Sequence, residues 1–572
     1  MQIFSKEIAI EDRLGVHMSM FFMTTFGIQE KGLSIPSPPV NETKLLSMPH
    51  FLLTDPMLQS PTATSVNVVW FTLFPGENNY VQYGEKLQQT SECQTTALSR
   101  MRRTDGTGIP VYRHEAVLTG LSPLKPTQYR AISATTDEKV HSDIFSCTSS
   151  PSKDSDVRIL LTSDHQCKPM VPANLQKVLE MVPKIDAVFY AGDCVTNPDS
   201  LDDWFGTSSG RSFFPVFQGK GCGRLGDVQY RGASLLQSAP IFCATGNHEI
   251  MGRLSKKPIS EQAQDAFPIA EAEKQYRQSH DAPPPEEWIR DHTFNTVSFS
   301  EIFSLGKRYY ATTFGDIRLV VLAATRIGRD AALGIKGKYT ESPKDFEDPL
   351  SWGYGEFIIE SLKKGSPQYL WLEKELQSKE FQSAKYKIVM LHNPIHTLGE
   401  NQIPAFADPI QHIDRDTTGK ITRIWYEYPK NQDFLLNDID PLFAQFGVQL
   451  VYSAHSHIWC RFTSPTGVHY LESSNVGNSY GTVFQGAPVF SPQCTVKGAS
   501  FEEPNGLSPM TPTVSPLKSS DGVSLPFIAS NEITVFSVFD TKNGCVDSYY
   551  FDTKQKGNIV LFDKFYLNDQ QK

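Results

Sequence analysis

Residues 157–193 read VRILLTSDHQCKPMVPANLQKVLEMVPKIDAVFYAGD, and the order of classes in this stretch decides the fold. The β-rich apolar run 157–162 leads into Asp164-His165-Gln166, and the run 187–191 leads into Gly192-Asp193. Between them Val171, Leu175, Val178, Leu179 and Val182 recur at spacings of three and four, the signature of an amphipathic helix. The unit is therefore strand, helix, strand, with an aspartate just past the end of each strand. Open α/β sheets keep their sites at the carboxyl ends of parallel strands, so these two aspartates are expected at one edge.

The same punctuation continues along the chain. The run 241–245 ends at Gly246-Asn247-His248-Glu249, the run 387–391 leads into His392, and the run 448–452 leads into His455-Ser456-His457. Singly, each group has a plainer reading: Asp164 would serve as a helix N-cap and Gly192-Asp193 as a turn. Taken in order, they supply the oxygen and imidazole donors of a two-metal phosphoesterase site, where two cations about 3.5–4 Å apart activate a water. Asp193 stands between the two halves, and its two carboxylate oxygens can bridge both metals. Asp164 and Gln166 are two apart, so on an extended strand end they point one way and His165 the other, making the Gln166 amide oxygen the better ligand. His455 and His457 project to one side of their segment and can each donate one imidazole nitrogen, one to each metal. Asn247 and His392 complete the second site.

This pattern resembles the calcineurin-like metallophosphoesterase superfamily. The resemblance implies a four-layer α/β fold, two β-sheets packed as a sandwich and flanked by helices. The usual first motif is Asp-x-His, where this chain has Asp164-His165-Gln166, and the usual Gly-His-x-His is here Ala454-His455-Ser456-His457, one added methyl near the metal. The stretch 367–376, with Pro367 suited to a first helical turn, resembles the helix before the lone-histidine strand. Residues 318–323 resemble the strand before that helix, and 295–303 a segment of the purple acid phosphatase branch. By the same resemblance His248 lies beyond the metals near the leaving group, with Glu249 orienting it. His396 and Arg326 are weaker candidates for substrate contact.

The N-terminal part points to the same branch. Residues 55–59, 64–70 and 81–84 alternate as sandwich strands do, and 118–123 followed by Tyr129 fits a strand, a corner and a tyrosine that ties it. It resembles the fibronectin type III-like domain that precedes the catalytic domain in purple acid phosphatases. The expected organisation is an unassigned extension at 1–49, this small all-β domain at 50–150 and a catalytic domain at 155–572. Purple enzymes carry an iron-ligating tyrosine three residues after the bridging aspartate. Thr196 occupies that place, so no tyrosinate chromophore is expected, and manganese, iron(II) or zinc all suit the donor set.

Composition bounds the rest. A chain of 572 residues exceeds one core and suits two domains with insertions, which the Gly-, Pro- and charge-rich stretches 201–240, 251–292 and 329–366 are read to be, on the surface near the site. A formal net charge of −10 without basic blocks gives no footprint for nucleic acid. Residues 15–28 are moderately apolar but follow Glu7, Glu11 and Asp12, which speaks against a signal peptide, and no run reaches the length of a membrane helix. Nine cysteines form no metal motif; Cys93 and Cys147 could bridge, and free buried thiols are the blander reading. The leading function is a phosphomonoesterase of acid-phosphatase type acting on a phosphorylated small molecule. A phosphodiesterase, and a binding protein that uses the fold as a scaffold, are the alternatives.

Overall fold

The computed structural model describes residues 51–567 apart from 124, 207–209, 256, 304, 330–335, 400–404, 480–481, 485–486, 490–504, 511–513, 520 and 554–557. The apolar stretch 15–28 and the extension to which it belongs lie outside the described residues.

The chain begins with an antiparallel β unit: β1 (Met57–Gln59), β2 (Ser65–Thr72), β3 (Asn78–Tyr83), β4 (Gln89–Ala97), β5 (Tyr112–Thr119), β6 (Thr127–Ala134), β7 (Lys139–His141) and β8 (Phe145–Cys147). The strand order is β1-β2-β5-β4-β3-β6-β7, with β8 also on β6. The first half of β4 pairs with β3 and its second half with β5, so one strand crosses from one face of a sandwich to the other. Val66, Val68 and Trp70 of β2 face Val81, Tyr129 and Ala131 in a private core. Their neighbours Val69 and Phe71 point the opposite way, as a period of two demands, into the core of the rest of the molecule.

The remaining chain builds two facing sheets. Its elements are β9 (Arg158–Thr162), α1 (Val171–Met181), β10 (Ala187–Tyr190), β11 (Ile241–Cys243), β12 (Tyr310–Phe314), β13 (Ile317–Val321), α2 (Pro367–Leu376) and β14 (Tyr386–Met390). They are followed by α3 (Asp440–Phe446), β15 (Leu450–Ser453), β16 (Trp459–Thr463), β17 (His469–Ser473), β18 (Phe527–Ile528), β19 (Ile533–Asp540), β20 (Cys545–Asp552) and β21 (Val560–Tyr566). One sheet runs β11-β10-β9-β19-β20-β21 and the other β12-β13-β14-β15-β17-β16-β18. Within them β9, β10 and β11 are parallel, as are β13, β14, β15 and β17. Alternation sorts the side chains. Ile159, Leu161 and Phe189 of the first sheet meet Leu319, Ile388 and Tyr452 of the second between the sheets. Leu160, Val188 and Tyr190 face outward to α1, whereas Val320, Val389 and Val451 face α2 and α3. Helix, sheet, sheet, helix is the four-layer order expected. Pro367 opens α2 behind Ser366, whose hydroxyl caps the Tyr369 N–H at 3.2 Å.

Two expectations fail here. The stretch 201–240 is no surface insertion: Trp204, Phe205, Phe213, Phe214, Phe217, Leu235 and Leu236 are buried where the first sheet meets the β unit. Its glycines and prolines shape turns between rings rather than a solvated loop. Tyr129 does not tie a corner within its own unit; its hydroxyl donates to the Gln237 carbonyl at 2.6 Å, a bond across to the two-sheet part. All eight described cysteines, Cys93 and Cys147 included, are free thiols. Among the described residues no helix is long and apolar enough to cross a membrane.

Candidate metal centre

The ends of β9, β10, β11, β14 and β15 meet at the seam between the two sheets. Thr325 donates from its hydroxyl to the Thr245 carbonyl at 2.6 Å across the seam, and the Asn393 N–H donates to the Ala324 carbonyl at 3.0 Å within the second sheet. At this seam Asp164, Asp193 and His457 are buried and offer ligand atoms that all lie within 4.8 Å of one another. Next to them Asn247 Oδ1 lies 3.1 Å from His392 Nε2 and 3.0 Å from His455 Nδ1, and the two ring nitrogens are 3.3 Å apart. His392 Nε2 is 3.4 Å from Asp193 Oδ1, so Asp193 joins the two groups. Gln166 completes the first group, its amide nitrogen donating to Asp193 Oδ2 at 2.7 Å.

The turns carrying these groups are left-handed. Asp164, Gln166, Asp193, His455 and His457 have φ of 55°, 41°, 60°, 81° and 57°. Asp164 and Gln166 therefore share a direction through a tight turn, not through the extended strand end that the spacing suggested. Left-handed non-glycine residues cost on the order of 1–3 kcal/mol each and persist only where their surroundings hold them. Close approach of the turns also fixes two glycines. A Cβ on Gly246 would stand 2.2 Å from Asp193 Oδ1, and one on Gly192, at φ 99°, 2.7 Å from His392 Nδ1.

Second contacts aim the rings. His392 Nδ1 donates to the Ala191 carbonyl at 2.8 Å and His457 Nδ1 to the Asn478 carbonyl at 2.7 Å, which turns each Nε2 toward the cluster. His248 donates from Nδ1 to the Thr196 carbonyl at 2.8 Å, and its backbone N–H donates to Asp193 Oδ1 at 2.9 Å. Thr196, in the place of the purple enzymes' tyrosine, turns its hydroxyl away onto the Gln166 carbonyl at 2.9 Å. Glu249 does not orient the His248 ring. Its carboxylate accepts the N–H groups of Asp193 and Cys194 at 2.7 Å and of Gly246 at 2.6 Å, holding the Asp193 turn.

Charge in this cluster seeks a cation. Burial alone would raise the Asp193 carboxyl, but the His392 and His248 rings hold it below the usual carboxylate range. Burial would likewise lower His392, yet Asp193, with Asp164 behind it, pushes it up to about 10. Burial, then the His392 charge, drives His455 well below its ordinary value, and Arg326 adds to this. Burial, then the Asp193 charge, raises Glu249 to about 7. Gln166 Oε1 is buried and has no hydrogen-bond partner, although its amide nitrogen is satisfied. An amide oxygen stranded among carboxylate and imidazole donors fits a hard or borderline divalent ion.

The other candidates lie elsewhere. His165 packs its ring on Phe217 and edge-on to Tyr190, both at 5.1 Å between centroids, away from the carboxylates. His396 rests against Tyr470 at 4.6 Å beneath the second sheet and does not join the cluster. Arg326 is buried, donating to the Ala405 carbonyl at 3.0 Å and standing over Phe406, so it reaches the site as a fixed charge rather than as an open side chain. The methyl of Ala454 lies in the apolar layer between the sheets and not at the metal position. Sequence reading missed Glu472, which is buried behind the His455–His457 turn. The local sequence HYLES offers no more than an acid beside His469, Tyr470, Leu471 and Ser473.

A family model described as calcineurin-like phosphoesterase matches residues 157–459. Among solved structures, the chain is similar to the purple acid phosphatase PPD1 isolated from yellow lupin (Lupinus luteus) seeds. The identity is 14% and the TM-score 0.53, over 89% of this chain and 73% of that one, a likeness of fold. No curated protein sequence matches it. With more than half of its length matched by that model, and with a buried acid and imidazole cluster where the model's strands end, the chain belongs to the calcineurin-like phosphoesterase family, metal-dependent enzymes of phosphoester hydrolysis.

Proposed function

We propose that the centre holds two divalent transition-metal ions and hydrolyses phosphate monoesters, in a catalytic domain at 155–572 preceded by a fibronectin type III-like domain at 50–150. Asp164, Gln166, Asp193 and His457 hold one ion, and Asp193, Asn247, His392 and His455 the other. The observation that carries this reading is the pair of donor groups meeting on Asp193: buried ligand atoms within 4.8 Å on one side, and a 3.0–3.3 Å triangle of amide oxygen and imidazole nitrogens on the other. When bound, two such ions lower the pKa of water and polarise phosphoryl oxygens near neutral pH.

The chain's own residues do the rest. Asp193, kept ionised by its neighbours, spans both groups. Asn247, His248 and His455 are half-exposed while Asp164, Gln166, His392 and His457 are buried, so substrate enters over the first set. With Nδ1 held by the Thr196 carbonyl, His248 exchanges protons through Nε2, the atom that donates to the leaving oxygen. The likeness to a purple acid phosphatase supports a monoester preference.

The test is a substrate panel on protein reconstituted with manganese, iron(II) or zinc. Elemental analysis should find close to two ions per chain, and 4-nitrophenyl phosphate should be hydrolysed faster than its bis-aryl diester. Faster diester hydrolysis replaces the monoesterase by a phosphodiesterase. Failure to bind metal or to cleave either ester leaves the scaffold reading.

A further inference from the structure

The His455–Ser456–His457 turn lacks the hold that Glu249 gives to the Asp193 turn, and Glu472 stands where an equivalent hold would be needed. Glu472 is the last residue but one of strand β17, and its side chain is buried. Oε1 accepts the Ser456 N–H at 2.8 Å, the amide between the two histidines. Oε2 accepts the hydroxyl of Thr397, a residue of the loop that follows His392. The Ser474 hydroxyl lies 3.2 Å from Oε1, and the Ser456 and Thr397 hydroxyls are 3.4 Å apart. One carboxyl group thus touches the turn bearing His455 and His457 and also the loop bearing His392.

The strain makes this contact matter. His455 and His457 both sit at positive φ on either side of Ser456, a costly arrangement held by its surroundings, and the Ser456 N–H is shared between Glu472 Oε1 at 2.8 Å and the Ala454 carbonyl at 3.1 Å, the carboxylate being the shorter contact. Glu249 performs that duty for the first sheet through three backbone N–H groups. Burying a carboxyl is costly without partners, and the close partners of Glu472 are the Ser456 N–H, the Thr397 hydroxyl and the Ser474 hydroxyl, with the Cys460 thiol farther off at 3.9 Å from Oε2. We propose that Glu472 is a positioning residue that pins the Ser456 amide, keeps His455 and His457 in ligand geometry, and couples them to His392. The proposal rests on the two-ion reading of the site and deepens it.

Its test compares Glu472→Ala, Glu472→Gln and Glu472→Asp in the full chain, stripped by chelator and titrated with manganese or zinc by calorimetry. Hydrogen exchange at the Ser456 amide is read on the metal-free proteins. Outer contacts to ligands are worth about 10–100-fold in metal affinity, so Glu472→Ala should lose that much and Ser456 should lose its protection. Glu472→Gln keeps an oxygen for the amide and should restore both. Leu471→Ala, which weakens the same strand without touching the turn, should leave metal affinity of the folded protein unchanged.

Wild-type affinity in Glu472→Ala overturns the proposal, and so does a Gln variant as impaired as the Ala variant. If the Ala variant does not fold, Glu472→Asp, whose carboxyl is set back by one methylene, takes its place. Full metal affinity there is equally fatal. A wild-type protein that binds no metal would defeat the two-ion reading, while Ser456 protection, present in wild type and Gln and lost in Ala, would still report on the pin.

Discussion

At the residue scale, neighbours in sequence have opposite duties at the first turn. Gln166 donates its amide nitrogen to Asp193 and keeps a buried, unpartnered amide oxygen, whereas His165 is clamped between Phe217 and Tyr190 with Nε2 2.9 Å from the Thr162 hydroxyl. Burial pushes the His165 imidazole down to about 3, so it stays neutral in the fold. Replacing Gln166 by Ala should deplete one of the two ions while the melting temperature of the metal-free protein barely moves. His165→Ala should do the reverse: both ions stay, and the cavity left by a buried ring costs on the order of 3 kcal/mol. Metal analysis beside thermal denaturation separates the two. Direction was legible in the spacing of these residues, but its cause was not, because the left-handed turn at Asp164 and Gln166 is imposed by contacts from β10 and β15. Glu472 escaped for a related reason: its partners lie 16 and 75 residues away, and no local pattern announces them.

Elements were more legible than turns. The runs at 157–162, 187–191 and 387–391 became strands within a residue or two of their expected ends, since each alternates between two apolar layers and has no solvated face to blur it. The stretch 201–240 misled because its rings are spaced by glycine and proline, and composition cannot tell an aromatic plug from a loop. Within the β unit, strands β2, β4 and β5 enclose His114, stacked on Trp70 at 5.2 Å, with its ring nitrogens 2.8 and 2.9 Å from the Thr72 and Thr95 hydroxyls. Burial, helped by the Arg113 charge, lowers this imidazole from 6.5 to about 4. Between those values the unfolded chain binds a proton that the folded ring refuses. Stability present above pH 6.5 is therefore lost as pH falls toward 4. Denaturant titrations across this window should show the loss, and His114→Gln, less stable at pH 7, should show a shallower acid slope. An unchanged slope would assign the acid sensitivity to other groups.

For the whole molecule, the β unit and the catalytic sheets are one body. Met57, Val69, Phe71 and Val111 of the first share a core with Trp204, Phe213 and Leu236 of the second, and polar ties reinforce it. Gln218 and Gln237 both bond Asp55, and Arg100 meets Asp199 at 3.0 Å with neither side chain exposed. An interface continuous with the core, rather than a wet contact between beads, makes separate melting of the parts unfavourable. On the proposed reading the metal centre adds a second clasp, because its candidate ligands come from both sheets. Ions that bind only the folded form stabilise it by mass action, roughly 2.7 kcal/mol at a concentration one hundred times the dissociation constant. Scanning calorimetry should therefore show a single transition that chelation moves down without splitting, and limited proteolysis should release no β unit before the catalytic part is cut. Two endotherms, of which only the upper one responds to metal, would show that the shared aromatic core does not couple the halves and that the ions alone hold the sheets together.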